Sequence, residues 1–111
     1  MKTKRTKQGI KNLLPKIRTA LEHIYGHRLM DVILYGSFAK DTPTQDSDID
    51  IAVILEGKLD RVKEIIKIGE VIYNLMLESG EMISVYPISE DEIKNPVWPL
   101  YLHIKEEGVR I

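Results

Sequence analysis

The feature that most constrains this chain is a pair of aspartates, Asp48 and Asp50, at the start of an apolar run that continues to Leu55. Side chains two positions apart on a β-strand project from the same face, so the two carboxylates would stand side by side. The alternating apolar side chains would face the opposite way: Ile49, Ile51 and Val53. Adjacent carboxylates repel each other unless a cation lies between them, and oxygen ligands of this kind favour Mg²⁺. The sequence therefore predicts that Asp48 and Asp50 hold a divalent metal ion.

A second motif, Gly36-Ser37, ends the preceding apolar stretch, and ten residues lie between Ser37 and Asp48. It precedes a predicted helical turn over residues 37–40, where backbone N–H groups and the hydroxyl can bind a phosphate. Lys40 either reaches a triphosphate from this turn or is a solvated loop lysine, and Tyr35 either lines a nucleotide pocket or belongs to the core. A phosphate-binding turn beside metal-binding carboxylates is the equipment of phosphoryl or nucleotidyl transfer.

An ordinary turn is the competing interpretation of part of this pattern. Asp46, Ser47 and Asp48 are residue types that turns favour before a strand. Turn chemistry does not explain Asp50, which lies inside an otherwise β-branched apolar run. The functional interpretation therefore depends mainly on Asp50.

The spaced pattern of Gly36-Ser37, ten residues, and Asp48-Ile49-Asp50 resembles the signature of the DNA polymerase β-type nucleotidyltransferase superfamily. The length of 111 residues points to the minimal, single-domain branch of that superfamily. The resemblance is densest over residues 31–55 and continues weakly to the last predicted helix. It implies an α/β (α+β) nucleotidyltransferase fold, in which a small mixed β-sheet has helices packed on one face.

The resemblance also implies an activity, the Mg²⁺-dependent transfer of an NMP group from an NTP, with ATP as the expected donor, to a hydroxyl acceptor. Asp48 and Asp50 would hold the metal and form the catalytic site. The nucleotide would be bound by Gly36, Ser37 and Lys40. Small members of the superfamily are often paired with a helical HEPN protein in toxin–antitoxin modules, and some modify that partner. The resemblance therefore makes a HEPN-type protein the expected partner and a candidate acceptor.

The chain departs from the family pattern on its third predicted strand. The superfamily usually places a third carboxylate there, which helps to deprotonate the attacking hydroxyl and to hold a second metal ion. The equivalent position here is Ser84, and the nearest carboxylate, Glu81, has the wrong strand parity unless a bulge intervenes. Two hypotheses stay open: an enzyme that works without this carboxylate, or a catalytically weak binding module that acts as an antitoxin by contact.

Hydrophobic periodicity predicts the element order α-β-α-β-α-β-α. Helices are expected over residues 8–24, 58–79, a short segment after 89, and 99–107, and strands over 31–35, 48–55 and 82–88. Pro15 fits only if the regular part of the first helix starts near Asn12, and Pro87 places the third strand at a sheet edge or exit. The apolar segment Trp98 to Ile104 exceeds what one helix face can bury, so it predicts a docking surface for a partner or a second copy.

Composition indicates one globular domain over residues 1–111, with 43% apolar and 30% charged residues. There is no Cys and no apolar run long enough to cross a membrane, so a cytoplasmic location is expected. Residues 1–21 carry seven Lys or Arg and no acidic residue, and residues 1–8 are expected to form a frayed basic arm. No aromatic side chain interleaves these charges, so nucleic acid is not an expected partner.

Overall fold

The computed structural model of the protein describes residues 10–40, 42–43 and 47–111. The predicted basic arm over residues 1–8 lies outside the described residues, as do Asp41 and Asp46. The elements in chain order are α1 (Leu14–Tyr25), a 3-10 turn (Gly26–Arg28), β1 (Leu29–Tyr35), β2 (Ile49–Leu55), α2 (Arg61–Ser79), β3 (Ile83–Ser89), α3 (Glu90–Lys94), α4 (Pro99–Glu107) and β4 (Val109–Arg110).

The four strands form one mixed sheet in the order β3-β2-β1-β4. β1 runs antiparallel to both β2 and β4, whereas β2 and β3 are parallel and are joined through α2. β3 is an edge strand, as Pro87 predicts, because a proline lacks the N–H that a further ladder would need. The predicted class, a small mixed sheet with helices packed against it, is confirmed.

The main core lies between one face of the sheet and helices α1 and α2. The side chains that alternate along β1 and β2 on this face are fully buried: Val32, Leu34, Ile49, Ile51 and Val53. They pack against one apolar side of each helix, which includes Ile17, Leu21, Ile68 and Ile72. The apolar residues that recur every two positions in the strands and every 3.6 positions in the helices are therefore the ones that face this core, as the sequence predicts.

The predicted helices on one face are α1 and α2, and the opposite face of the sheet is also partly covered, by α4, which the sequence did not place there. α4 buries Tyr101 and Ile104 in a second cluster with residues of three strands: Ile33, Ala52, Ile54 and Ile88. Gly108 permits this packing, because a Cβ there would collide with the Ile33 side chain and the Ile104 carbonyl. Toward the start of β2 and β3 the cover ends, since Asp48 and Ser84 are exposed.

Local signals set most of the element boundaries. α1 begins at Leu14 with Pro15 in its first turn, and α2 ends at Gly80, which has a left-handed φ of 72°. Ser89 caps α3 in a capping box with Glu92. Residues 37–40 form a single hydrogen-bonded turn, closed from the Lys40 N–H to the Gly36 carbonyl, where the sequence predicts a helical turn. The structure adds β4, a two-residue strand that no periodicity can reveal. None of the helices in the described part of the chain is long and apolar enough to cross a membrane.

Candidate active site

Three strands meet in a row of side chains at the uncovered part of the second sheet face. Asp50 on β2 is paired with Tyr35 on β1 and with Ser84 on β3. Paired residues of adjacent strands share a face, so these three side chains are neighbours across the sheet. Asp48 lies one residue before β2 begins and is exposed, whereas Asp50 is half-buried.

The turn after β1 brings Gly36 against the carboxylate of Asp50. Gly36 has a φ of 74°, a left-handed conformation that side chains with a Cβ rarely adopt. A Cβ at this position would collide with Oδ2 of Asp50, so the carboxylate occupies the space that a side chain at residue 36 would need. Two features therefore require glycine at position 36: the left-handed backbone conformation and the nearby carboxylate of Asp50.

Backbone hydrogen bonds hold the turn that follows. The Lys40 N–H donates to the Gly36 carbonyl over 3.3 Å, and the Thr42 N–H donates to the Ser37 carbonyl over 2.9 Å. Phe38 is fully buried and anchors the turn to the core between α1 and the sheet. The backbone of Gly36 and Ser37 is thus placed at the end of β1, beside the first residues of β2.

The two carboxylates affect each other through their charges. Burial raises the pKa of Asp50, and the neighbouring Asp48 raises it further. Burial, followed by the charge of Asp50 and the nearby Tyr86, raises the pKa of the Tyr35 hydroxyl to about 12. Neither Asp48 nor Asp50 forms an ion pair with a cationic side chain of the residues that the structure describes. The negative charge at this end of the sheet is therefore without a protein counter-charge in that part of the chain.

This imbalance predicts that Asp50→Asn raises the free energy of unfolding of the metal-free protein at pH 7. A raised pKa means that the folded state binds the proton more tightly, so folding stability falls as the pH rises through the ordinary value of 3.8 to the raised one. The loss is absent well below pH 3.8 and is present once the pH exceeds the raised pKa of Asp50. Urea unfolding from pH 8 down to pH 4 should show a gain by the Asn variant that shrinks with the pH. An Asp50→Asn variant that is less stable than the wild type at pH 7 would contradict the conclusion that the charge of Asp50 opposes folding.

The ammonium group of Lys40 is paired with a carboxylate of α4. Its Nζ lies 3.7 Å from Oε2 of Glu107, in the last turn of α4, and Nδ1 of His103 lies 2.7 Å from the same oxygen. His103 and Glu107 are four residues apart on the helix, so both face the turn after β1. The sequence alone does not indicate either residue, because neither belongs to the spaced motif and the contact between Glu107 and Lys40 spans more than sixty positions of the chain.

No third carboxylate joins the pair within the described residues. Ser84 takes the position opposite Asp50, as the strand parity predicts. Glu81 lines a cavity of about 220 Å³ between the ends of α1 and α2, on the other side of the sheet. No group of three or more His, Cys, Asp or Glu able to hold a metal ion occurs among residues 10–40, 42–43 and 47–111. A metal ion at Asp48 and Asp50 would take its remaining ligands from water or from a nucleotide.

The mixed sheet presents Asp50 beside the Gly36-Ser37 turn, the arrangement that the resemblance of the spaced motif to nucleotidyltransferases implies. The chain belongs to that family, because residues 14–109 match the nucleotidyltransferase domain family. The match covers both motifs and the elements from α1 to the first residue of β4. The resemblance to a minimal nucleotidyltransferase is thereby confirmed.

Individual relatives agree with this family. A protein of Methanocaldococcus jannaschii assigned as a protein adenylyltransferase is 33% identical over 90 residues, which are 80% of this chain and 84% of the relative. A protein of Sulfolobus solfataricus that is assigned as a nucleotidyltransferase and has a crystal structure shares the fold, with a TM-score of 0.63 and 19% sequence identity. The likeness covers 94% of this chain and 80% of that one.

A larger enzyme also contains the fold. The cyclic dinucleotide synthase of Elizabethkingia meningoseptica, solved with GTP and Apcpp, has a TM-score of 0.53 and 20% identity. The likeness covers 77% of this chain but only 39% of the synthase. At this identity the likeness shows the shared fold alone.

Proposed function

We propose that the protein is a Mg²⁺-dependent nucleotidyltransferase that transfers an NMP group from an NTP, with ATP as the donor, to a hydroxyl of a protein. The observation that carries this proposal is the contact between Gly36 and the carboxylate of Asp50, with Asp48 close enough to raise the pKa of Asp50. The name of the Methanocaldococcus relative supports adenylyl transfer to a protein.

The donor set at this site fits a hard divalent cation. Two carboxylate side chains are the ligands that Mg²⁺ prefers, and Mg²⁺ keeps several positions for water and for phosphate oxygens. Asp48 and Asp50 would hold the ion, which would neutralise the charge of the triphosphate and of the leaving pyrophosphate. Because the two carboxylates lack a protein counter-charge in the described residues, a cation also removes their mutual repulsion.

The remaining residues would bind and orient the nucleotide. The backbone at Gly36 and the Ser37 hydroxyl can donate hydrogen bonds to phosphate oxygens at the end of β1. Lys40 would add a positive charge once a phosphate competes with Glu107 for its ammonium group. In the reaction, the acceptor oxygen bonds to the α-phosphorus, the bond to the bridging oxygen breaks, and pyrophosphate leaves. Catalysis by this chain would come from positioning and charge neutralisation.

A protein acceptor is supported by the apolar surface at α4. Val97, Trp98, Leu100 and Leu102 are exposed, although Tyr101 and Ile104 of the same segment are buried against the sheet. This surface belongs to the element that also contacts Lys40 through Glu107, so a protein docked there would lie beside the nucleotide turn. The helical HEPN-type protein that the sequence resemblance implies is the partner we propose for it.

The main alternative is a binding module that neutralises such a partner by contact without efficient catalysis. Ser84 favours this alternative, because the position opposite Asp50 carries no carboxylate to accept the proton of the attacking hydroxyl. A serine hydroxyl is not basic near neutral pH, so the proton would pass to water or to a group supplied by the partner.

Label transfer distinguishes these functions. The protein is incubated with α-labelled ATP, Mg²⁺ and a candidate HEPN partner, and label on either protein is measured after separation. Transfer that requires Mg²⁺ and is lost in the Asp48→Asn/Asp50→Asn double variant supports the enzyme. Stable binding of the partner by both forms, without any transfer, supports the contact module.

Ser84→Asp should increase the rate of label transfer, by tenfold or more, by restoring a carboxylate opposite Asp50. General-base assistance typically contributes ~10²–10⁴-fold, and part of that gain should return with a carboxylate in this row. Ser84→Asn is the matched control, since it has nearly the same size and no charge, and it should give no increase. Robust wild-type transfer that Ser84→Asp destroys would show that the site uses another base.

A further inference from the structure

α2 leaves one apolar side without a partner. Val62, Ile66, Tyr73 and Leu77 are 66%, 61%, 56% and 65% exposed. Together with Gly69 they are spaced three or four residues apart, so they form one stripe along the helix, named here the α2 stripe. The side of α2 that packs on the core carries other residues, Ile68 and Ile72 among them. An exposed apolar stripe four turns long is more than scattered surface side chains explain.

Gly69 stands in the middle of the α2 stripe. Glycine within a helix costs ~1 kcal/mol relative to alanine, so it needs a compensating role. Packing inside this chain does not supply one, because a Cβ at Gly69 would meet no described atom within 4 Å. A small residue at the centre of an apolar stripe does allow a second helix to cross at short distance.

The exposed charges along α2 reverse sign at the same point. The first half carries Lys63 and Lys67, whose ammonium group lies 5.0 Å from the centre of the Tyr25 ring, and the second half carries Glu70 and Glu78. The other two charged side chains of the first half are paired inside the chain: Arg61 with Glu92, and the buried Glu64 with Tyr25 and Arg28. If a second copy of α2 lies antiparallel and crosses at Gly69, the basic half of each helix faces the acidic half of the other. Such a two-fold contact is self-complementary, as a closed dimer requires.

We infer that the protein forms a homodimer through antiparallel pairing of the α2 stripe of two copies, with the crossing at Gly69. The stripe is on the outer side of a helix that covers the first sheet face, whereas Asp50 and Ser84 lie on the second. Both candidate active sites of the dimer therefore stay open. This inference does not depend on the proposed nucleotidyl transfer.

Sedimentation equilibrium of the full chain tests it. The wild type should sediment as a dimer at micromolar concentration, and Ile66→Glu should raise the dimer dissociation constant at least 100-fold. Gly69→Leu, which fills the crossing point, should do the same. Val97→Glu is the matched control, because Val97 is even more exposed but lies at α4, and it should leave the dimer intact. Circular dichroism and thermal unfolding verify that each variant is folded.

Charge reversal tests the orientation. Lys63→Glu/Lys67→Glu and Glu70→Lys/Glu78→Lys should each be monomeric, and an equimolar mixture of the two should restore the dimer. A wild type that is monomeric at 100 μM, or a dimer that Val97→Glu breaks and Ile66→Glu does not, would overturn the inference. Failure of the mixture to associate would overturn the antiparallel arrangement.

Discussion

Replacement of both Asp48 and Asp50 by Asn should reduce Mg²⁺-dependent binding of ATP at least 100-fold and leave the fold intact. The amides keep the size of the side chains, but they remove the two negative charges that would hold the metal ion. The core side of β2 is untouched, since Ile49, Ile51 and Val53 face α1 and α2. Isothermal titration calorimetry with and without Mg²⁺ measures the loss.

The matched control for this variant is Glu56→Gln. Glu56 is an exposed carboxylate that directly follows the last residue of β2, whereas Asp50 lies near the beginning of that strand. Its neutralisation changes the net charge of the chain in the same direction and should leave ATP binding within twofold. If the double Asn variant still binds ATP in a Mg²⁺-dependent way with wild-type affinity, the assignment of Asp48 and Asp50 as metal ligands is wrong.

Gly36→Ala should both destabilise the protein and weaken ATP binding. The left-handed backbone at Gly36 costs ~1–2 kcal/mol for a residue with a Cβ. The added methyl group also collides with Oδ2 of Asp50, so either the turn or the carboxylate must move. Because the same contact positions the proposed metal ligand beside the proposed phosphate turn, we expect a loss of binding of at least tenfold. Gly36→Val should have a larger effect on both measurements.

Gly57→Ala separates backbone strain from the collision. Gly57 has a φ of 81°, similar to that of Gly36, but a Cβ there meets nothing described within 4 Å. This variant should show the strain cost in urea unfolding and bind ATP normally. In an Asp50→Ala background, the cost of Gly36→Ala should fall to that of Gly57→Ala, because the colliding oxygen is gone. If Gly36→Ala and Gly57→Ala lower the free energy of unfolding equally in the wild-type background, the contact between residue 36 and the Asp50 carboxylate is wrong.

Together, these variants test one physical idea about the site. The negative charge at this site opposes folding, since burial and the neighbouring Asp48 both raise the pKa of Asp50. Binding of a cation is predicted to offset the repulsion between these two carboxylates. A protein in which neutralisation stabilises the metal-free fold and abolishes nucleotide binding would show that this charge serves a ligand and not the fold.

Local patterns were sufficient to predict the part of the site that lies on one strand. The alternation from Asp48 to Leu55 determines which side chains of β2 share a face, because successive residues on a strand point to opposite sides. The same rule placed Ser84, and not Glu81, on the face of Asp50, and the register of β2 and β3 confirms it. The Gly36-Ser37 pair marked the turn after β1 because few other residues tolerate that backbone conformation.

Tertiary structure alone decided what surrounds these residues. Glu107, with His103 beside it, reaches Lys40 from the far end of the chain, and α4 covers part of the sheet face that the strand pattern left open. Sequence periodicity reports which side of an element is apolar, but not which distant element will bury it. α4 packs on the second face because Tyr101 and Ile104 match the apolar surface formed jointly by three strands: Ile33 of β1, Ala52 and Ile54 of β2, and Ile88 of β3. That surface exists only after three strands separated in sequence have paired, so no local window of the chain contains it.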